Sequence, residues 1–337
     1  MPIFLCGSPR RFALPPSDLA NDVCEAGRAN RLGEPQRIGI IRMQRIAHPL
    51  SLTLCCLLLT ALASAQEVAK KPPFAPRLDL PDVRKELMPL VDACGVKKPA
   101  KPPKLLVFWK CEGFAHAQAI EHAIAFYQVA SQKGYCTADF SGDYAALTAE
   151  NLSKYDVLVL NNTTGLKVKE NPDLEPTLLA FVRSGKGYVV LHGGADNFKE
   201  SPALCAMLGG SFGGHPWTWR GGEWKFKIDD PNSPINASLG QEPLFFGDEI
   251  YQHTPPYGDR NKMHVLVSMD FSDEKTAKMN ADKQSHKDTN DYPVSWTREE
   301  GKGRVFYTSF GHDRAAYVHP KIMAHILLGT LWAGDGA

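Results

Sequence analysis

The chain has 337 residues, with 38 lysines and arginines against 37 aspartates and glutamates and a formal net charge of +1. That length suffices for one large domain or two, each with a real core. A charge so near neutral gives no electrostatic reason to expect nucleic acid or an anionic membrane as partner.

Residues 43–65 read as a secretory signal peptide. Arg45 and His48 follow Met43, an apolar run extends from Leu50 to Leu62, and Ala63-Ser64-Ala65 before Gln66 makes a small-x-small cleavage site. The run is shorter than the roughly 20 apolar residues a membrane span needs. No membrane anchor is therefore expected after signal cleavage. Residues 1–42, rich in Arg, Pro and Gly and without periodicity, are expected to be a non-native N-terminal extension, with translation starting at Met43. The expected location is periplasmic or secreted, an oxidising setting. Of the cysteines, Cys94, Cys111, Cys136 and Cys205 survive processing; their spacings fit no metal or redox motif, and they are expected to be mostly buried free thiols.

Residues 66–103 carry Pro72, Pro73, Pro76, Pro81, Pro99, Pro102 and Pro103 among lysines. Such a composition predicts a stiff, extended linker with one helical turn at most around Val83 to Asp92. The folded domain is expected over residues 104–334.

Strands and helices then alternate. Leu105 to Trp109 is a strand, and Ala117 to Lys133 a helix with Ile120, Ile124, Tyr127 and Val129 at helical intervals. Tyr135 to Phe140 and Asp156 to Leu160 are strands flanking a short helix from Thr148 to Ser153, and a helix from Asp173 to Ser184 ends at Gly185 and Gly187. Gly187 to Leu191 is an apolar, β-branched run with no polar alternation, the pattern of a strand buried on both faces of a parallel sheet. Four such alternations call for a parallel sheet with right-handed crossovers and helices on both faces.

Beyond the fourth strand the rhythm changes. A short helix from Pro202 to Leu208 precedes the Gly-rich run Gly209 to Gly214, and Glu223 to Ile228, Gly247 to Gln252 and Val265 to Met269 read as further strand pieces. Asp273 to Asp291 is polar enough to be a solvated excursion. Pro293 to Arg298 and Arg304 to Ser309 bracket a Gly-containing loop as an antiparallel hairpin, and Lys321 to Trp332 closes the chain as a helix.

Ligand sites in open α/β sheets form outside the carboxyl ends of strands. His116, His192, His215, Glu249 and His312 all stand at or just past such ends or in a Gly-rich loop. Imidazoles with a carboxylate suit metal binding, acid–base work near neutral pH, or hydrogen bonds to sugar hydroxyls. Trp217, Trp219 and Trp224 follow His215; their faces either stack on sugar rings or cover the sheet as core.

Residues Lys104 to Ala333 resemble the ThuA-like, or trehalose-utilisation, family. The resemblance is carried by Gly113-Phe114-Ala115-His116, Val190-Leu191-His192, Leu208-Gly209-Gly210-Ser211-Phe212 with His215-Pro216, Asp248-Glu249-Ile250-Tyr251, and the run from Gly301 to His312. It implies a flavodoxin-like, class I glutamine-amidotransferase-like α/β fold, to which the C-terminal half adds antiparallel strands. Where an amidotransferase presents its nucleophilic cysteine, this chain has His192-Gly193-Gly194, and Cys205 falls a full segment later, so thiol-dependent glutamine hydrolysis is not expected.

The function so implied is carbohydrate metabolism: a sugar hydrolase or isomerase acting on a sugar or keto-sugar. His116 and His192 would do acid–base work or jointly bind a divalent metal, with Glu249 and Asp196 orienting them. His215, His312, Trp217 and Asn161 would contact the small-molecule carbohydrate. The alternative is a non-catalytic carbohydrate-binding module. Flavin is disfavoured, since no phosphate-cradling loop follows the first strand. Oligomeric state is not legible.

Overall fold

The computed structural model describes residues 73–335; the expected extension over 1–42 and signal peptide over 43–65 lie outside the described residues. The alternating half folds as the hydrophobic pattern dictates. Strands β1 (Lys104–Phe108), β2 (Thr137–Ser141), β3 (Val157–Asn161) and β4 (Gly187–Leu191) pair in parallel in the order β2-β1-β3-β4. Every residue of β3 and β4 is buried. Such strands need cover on both faces.

Successive side chains supply it by pointing to opposite faces. Leu105, Val107, Val157, Val159, Val189 and Leu191 pack with helices α1 (Pro81–Asp92), α2 (Ala117–Gln132), the short α7 (Arg314–Val318) and the C-terminal α8 (Pro320–Gly334). Leu106, Phe108, Leu158, Leu160, Tyr188 and Val190 face the other way, toward α3 (Ala149–Leu152), α4 (Leu174–Arg183) and α5 (Pro202–Leu208).

The second half extends the same sheet. Strands β5 (Trp224–Ile228), β6 (Leu244–Phe246), β7 (His264–Met269), β8 (Pro293–Glu300) and β9 (Gly303–Thr308) complete a nine-stranded order, β2-β1-β3-β4-β9-β8-β7-β5-β6. β9 joins β4 in parallel, and the remaining pairs are antiparallel. The expected hairpin is β8–β9. Its parallel docking on β4 is what carries the segment after β9 to the same sheet edge as the turn after β4.

Three segments differ from expectation. The supposed linker contains a full three-turn helix, α1, because Leu87 and Val91 share a face that the sheet-covering α2 buries completely. Arg84 also donates to Gln128, and Lys133 to Asp92, across that seam. Proline and lysine content hid this face. Gly247 to Gln252 is not a strand: β6 comes earlier, and the chain from Gly247 turns inward, making isolated β-bridges at Ile250 and His253 in place of a ladder. Residues 273–291 are not simply solvated. Asp273 caps the short helix α6 (Glu274–Lys278), whose Thr276 is fully buried and receives the Trp217 indole N–H on its carbonyl. The four cysteines described are free thiols, three of them buried.

Candidate active site

The turn after β4 is the pivot. His192 has a φ of 38°, a left-handed conformation that disfavours a side chain bearing Cβ, and it persists because its surroundings fix it. The Gly193 N–H donates to Asn162 Oδ1 at 3.3 Å. A Cβ at Gly193 would stand 3.0 Å from the His116 ring, close enough to push that ring aside. The imidazole of His192 is fully buried and donates from Nδ1 to the Ser309 carbonyl at 2.7 Å. A carbonyl only accepts, so the proton is on Nδ1 and the Nε2 lone pair faces inward.

Inward lie three more groups. The His312 Nδ1 is 3.2 Å from His192 Nε2 and 3.4 Å from Glu249 Oε1, and His192 Nε2 is 3.7 Å from the same oxygen. His116 packs edge-on against both His192 and His312, with ring centroids 4.9 and 5.1 Å away. One ligand atom from each of His116, His192, Glu249 and His312 lies within 4.8 Å of every other. His116 also places a buried Nδ1 where no protein group hydrogen-bonds it.

Burial and crowding set the charge states. Burial, reinforced by His312, lowers His116 to about 4, and burial with His116 and His312 as neighbours holds His192 well below the ordinary imidazole range. Burial also opposes a charge on His312, but the hydrogen bond and charge of Glu249 outweigh it and the net shift is upward. Burial acts to raise Glu249, yet its contacts with His312 bring it below the usual value. The cluster is thus an ionised carboxylate among imidazoles, at least two of them neutral at pH 7. That is a donor set for a cation.

Asp248 holds two of these groups in place. Its carboxylate accepts from the Gly311 N–H at 2.8 Å, the His312 N–H at 3.2 Å and the Glu249 N–H at 2.9 Å. Burial raises its carboxyl to about 7, against the pull of those N–H groups. Tyr251, two residues on, lays its ring against His192 at 4.3 Å and brings its hydroxyl to 3.5 Å from His116 Nε2.

Residues 104–333 match the model of the ThuA family, described as trehalose utilisation. The chain belongs to the ThuA family. Solved structures agree on the fold of the ThuA domain. A ThuA-like protein of Bacteroides uniformis ATCC 8492 is 20% identical, with a TM-score of 0.53 over 70% of this chain and 93% of that one. One of Parabacteroides merdae ATCC 43184 is 19% identical, with a TM-score of 0.52 over 70% and 91%. No curated protein matches.

Within the ThuA domain, the residues singled out in the sequence fall into three groups. His116, His192, Glu249 and His312 converge, so His312 stands in the cluster itself rather than at a hydroxyl-binding rim. His215 lies at the opening, its side chain nearly half exposed and its Nδ1 3.4 Å from Glu249 Oε2. Asp196 instead pairs with Lys199 at 2.6 Å, and the group that orients His192 is the Ser309 carbonyl. Asn161 is fully buried and donates to the Ile120 carbonyl, tying β3 to α2. Trp217 has no exposed face: it packs against Phe271 and Tyr292 and spends its N–H on Thr276. Trp224 is equally buried; the Trp219 side chain lies outside what is described. Cys205 sits in α5 with its thiol donating to the Phe198 carbonyl, away from the turn after β4.

Sequence reasoning passed over Asp248, Ser309, Asn162 and Tyr251. Asp248, Tyr251 and Ser309 all fall within the runs that carry the family resemblance, and that was the available signal.

Proposed function

We propose that this ThuA protein is an exported enzyme of carbohydrate metabolism that hydrolyses or isomerises a sugar or keto-sugar derivative, using a divalent metal held by His116, His192, Glu249 and His312. The observation that supports it most is a set of distances. Ligands about 2.1 Å from a tetrahedral centre stand about 3.4 Å apart, and the separations among His192, His312 and Glu249 are 3.2, 3.4 and 3.7 Å. The inward lone pair of His192, fixed by a carbonyl behind it, is the arrangement that metal-ligating histidines use.

A dication bound by these four groups would polarise a carbonyl or hydroxyl oxygen of the sugar. The chain's own residues do the rest. Asp248 keeps His312 and Glu249 in register through three backbone N–H groups. His215, half exposed beside Glu249 Oε2, carries protons between the reacting sugar and solvent. The Tyr251 hydroxyl facing His116 offers a second proton donor. The family description, trehalose utilisation, supports a sugar as substrate, and the signal pattern of residues 43–65 supports export.

The test is metal analysis of the purified protein together with turnover of a panel of glycosides and keto-glycosides before and after chelation. Stoichiometric metal and chelator-sensitive turnover are expected. Turnover that survives complete metal removal would return the chemistry to metal-free acid–base catalysis, and sugar binding without turnover would make the protein a binding module.

A further inference from the structure

Among the described residues, three large apolar side chains stand exposed: Leu78, Phe114 and Phe245, at 45%, 68% and 50%. Phe114 is the most exposed of them, and it alone adjoins the histidine cluster, its ring meeting His116 edge-on with centroids 4.9 Å apart. A single exposed ring is ordinary by itself; this one borders a cluster of convergent polar groups, the setting in which ligand sites place their apolar walls.

The loop that carries Phe114 is fixed. Thr164 donates its hydroxyl to the Phe114 carbonyl at 2.6 Å, and the Thr164 carbonyl accepts from the N–H groups of Glu112 and Gly113 at 2.8 and 3.2 Å. Cys111 bridges to Thr164 as well and points its thiol at the Asn162 carbonyl. The ring is therefore held out on backbone anchored to the end of β3, next to the turn that carries Asn162. Fixed presentation of a flat apolar face is what a stacking surface requires.

From Phe114 a continuous series of ring contacts runs across the site: to His116, to His192, to Tyr251 and on to Phe212, with centroids 4.9, 4.9, 4.3 and 4.4 Å apart. Phe212 is stacked with the half-exposed His215 at 5.9 Å and an interplanar angle of 21°. Polar groups lie beside these rings: Glu249 next to His215, and Lys199, paired with Asp196, over the Phe212 face. His116, His192 and Tyr251 are buried within this series, so the faces left open to a ligand are those of Phe114 at one end and of Phe212 and His215 at the other. Apolar faces at the two ends with hydrogen-bonding groups beside them match a molecule with axial C–H bonds on its faces and hydroxyls around its rim. That molecule is a pyranose. Its C–H bonds carry partial positive charge and lie favourably on the negative face of an aromatic ring.

We propose that Phe114 is the platform on which a pyranose ring of the substrate stacks, making it a residue that selects pyranosides by ring form. This role passes from Trp217, which is buried, to an aromatic on the first loop. It rests on the sugar reading given above and goes further by naming the ring form and the residue that selects it. A furanose or an open-chain polyol lacks the flat array of axial C–H bonds and would gain little from the platform.

The experiment measures binding of methyl α- and methyl β-D-glucopyranoside by saturation-transfer NMR and titration, on the wild type, Phe114→Ala, Phe114→Trp and the control Phe245→Ala. Metal content and elution volume are recorded for each. Expected are binding by the wild type with transfer concentrated on one face of the ring, at least 10-fold weaker binding by Phe114→Ala, retention by Phe114→Trp, and no change in Phe245→Ala. Equal binding by wild type and Phe114→Ala overturns the platform and leaves the sugar reading standing. A Phe114→Ala variant that binds normally but elutes as a smaller species overturns it too, and identifies Phe114 as a contact between copies of the chain. Absence of glucopyranoside binding by a metal-loaded wild type overturns the platform, whereas the sugar reading, which includes keto-sugars, falls only if the glycoside and keto-glycoside panel is neither bound nor turned over.

Discussion

The Nδ1 of His192 lies 2.7 Å from the Ser309 carbonyl. This contact follows from sheet register: Leu191 of β4 is paired with Thr308 of β9, so the next residue of each strand meets its neighbour just past the sheet edge. Strand pairing thereby sets the tautomer of a buried imidazole and aims its other nitrogen at His312 and Glu249. The chemistry of the site is tied to a pairing between segments more than a hundred residues apart.

His192→Ala tests that tie. Removal of the ring leaves the backbone turn in place and takes away one of four converging ligand atoms. The expected outcome is a folded protein by far-UV circular dichroism, bound metal well below stoichiometric, and turnover reduced by at least 100-fold. Full activity in this variant would remove His192 from the site.

Asp248→Asn addresses the backbone scaffold of the same cluster. The carboxylate accepts three N–H groups on its two oxygens, Gly311 on one and His312 and Glu249 on the other. An amide turns one oxygen into a donor facing an N–H, leaving a buried pair unsatisfied at a cost of about 1–3 kcal/mol. Outer partners of metal ligands typically tune affinity by roughly 10–100-fold. A lower melting temperature and a weaker metal titration are expected together. Loss of stability with unaltered metal affinity would make Asp248 purely structural.

Much of this site was legible in the sequence because position along an α/β chain encodes position in space. A polar residue right after a buried β-branched run must emerge at a strand's carboxyl end, as His192 does on β4, and His116 and His312 lie in the loops that leave the same ends of β1 and β9. Glu249 was legible for its company in the Asp-Glu-Ile-Tyr run, although the segment around it is irregular rather than a strand. The partners were not legible. A carbonyl such as that of Ser309 leaves no mark on residue type, and whether it meets His192 depends on register. The burial of Trp217, expected at the carbohydrate, was hidden for a related reason. Side-chain hydrophobicity does not say which ring a later segment will cover, and α6, whose charged sequence disguises a buried Thr276, is what closes over Trp217.

Acid should weaken the fold well away from the cluster. His325 on α8 is fully buried, with Nε2 3.0 Å from the Ser295 hydroxyl and Nδ1 3.2 Å from the Ile235 carbonyl. Burial lowers it to about 4, partly opposed by the Ile235 hydrogen bond, from an ordinary value of 6.5. Below pH 6.5 the unfolded chain therefore takes up a proton that the native state refuses, and stability falls as pH drops toward 4. A shift of that size corresponds to roughly 3 kcal/mol across the window. Urea unfolding at pH 7, 5.5 and 4.5 is expected to show this decline, and a smaller one in His325→Gln. An identical pH slope in that variant would assign the acid sensitivity elsewhere.

The N-terminal helix supplies the last expectation. The match to the ThuA family begins at residue 104, after α1, yet Leu87 and Val91 are completely buried in the main core. Arg77 also forks onto Glu121, Arg314 pairs with Glu86, and Tyr135 donates to the Val96 carbonyl, so this segment is fastened along its length. Leu87→Ala should cost about 2–5 kcal/mol, the range for truncating a buried leucine, and should leave the metal content of the folded protein unchanged. A chain starting at Lys104 would expose the apolar face of α2 beneath α1 and is expected to melt earlier and aggregate. If that shortened chain unfolds at the same urea concentration as one starting at Gln66, α1 is an accessory laid on a domain complete without it.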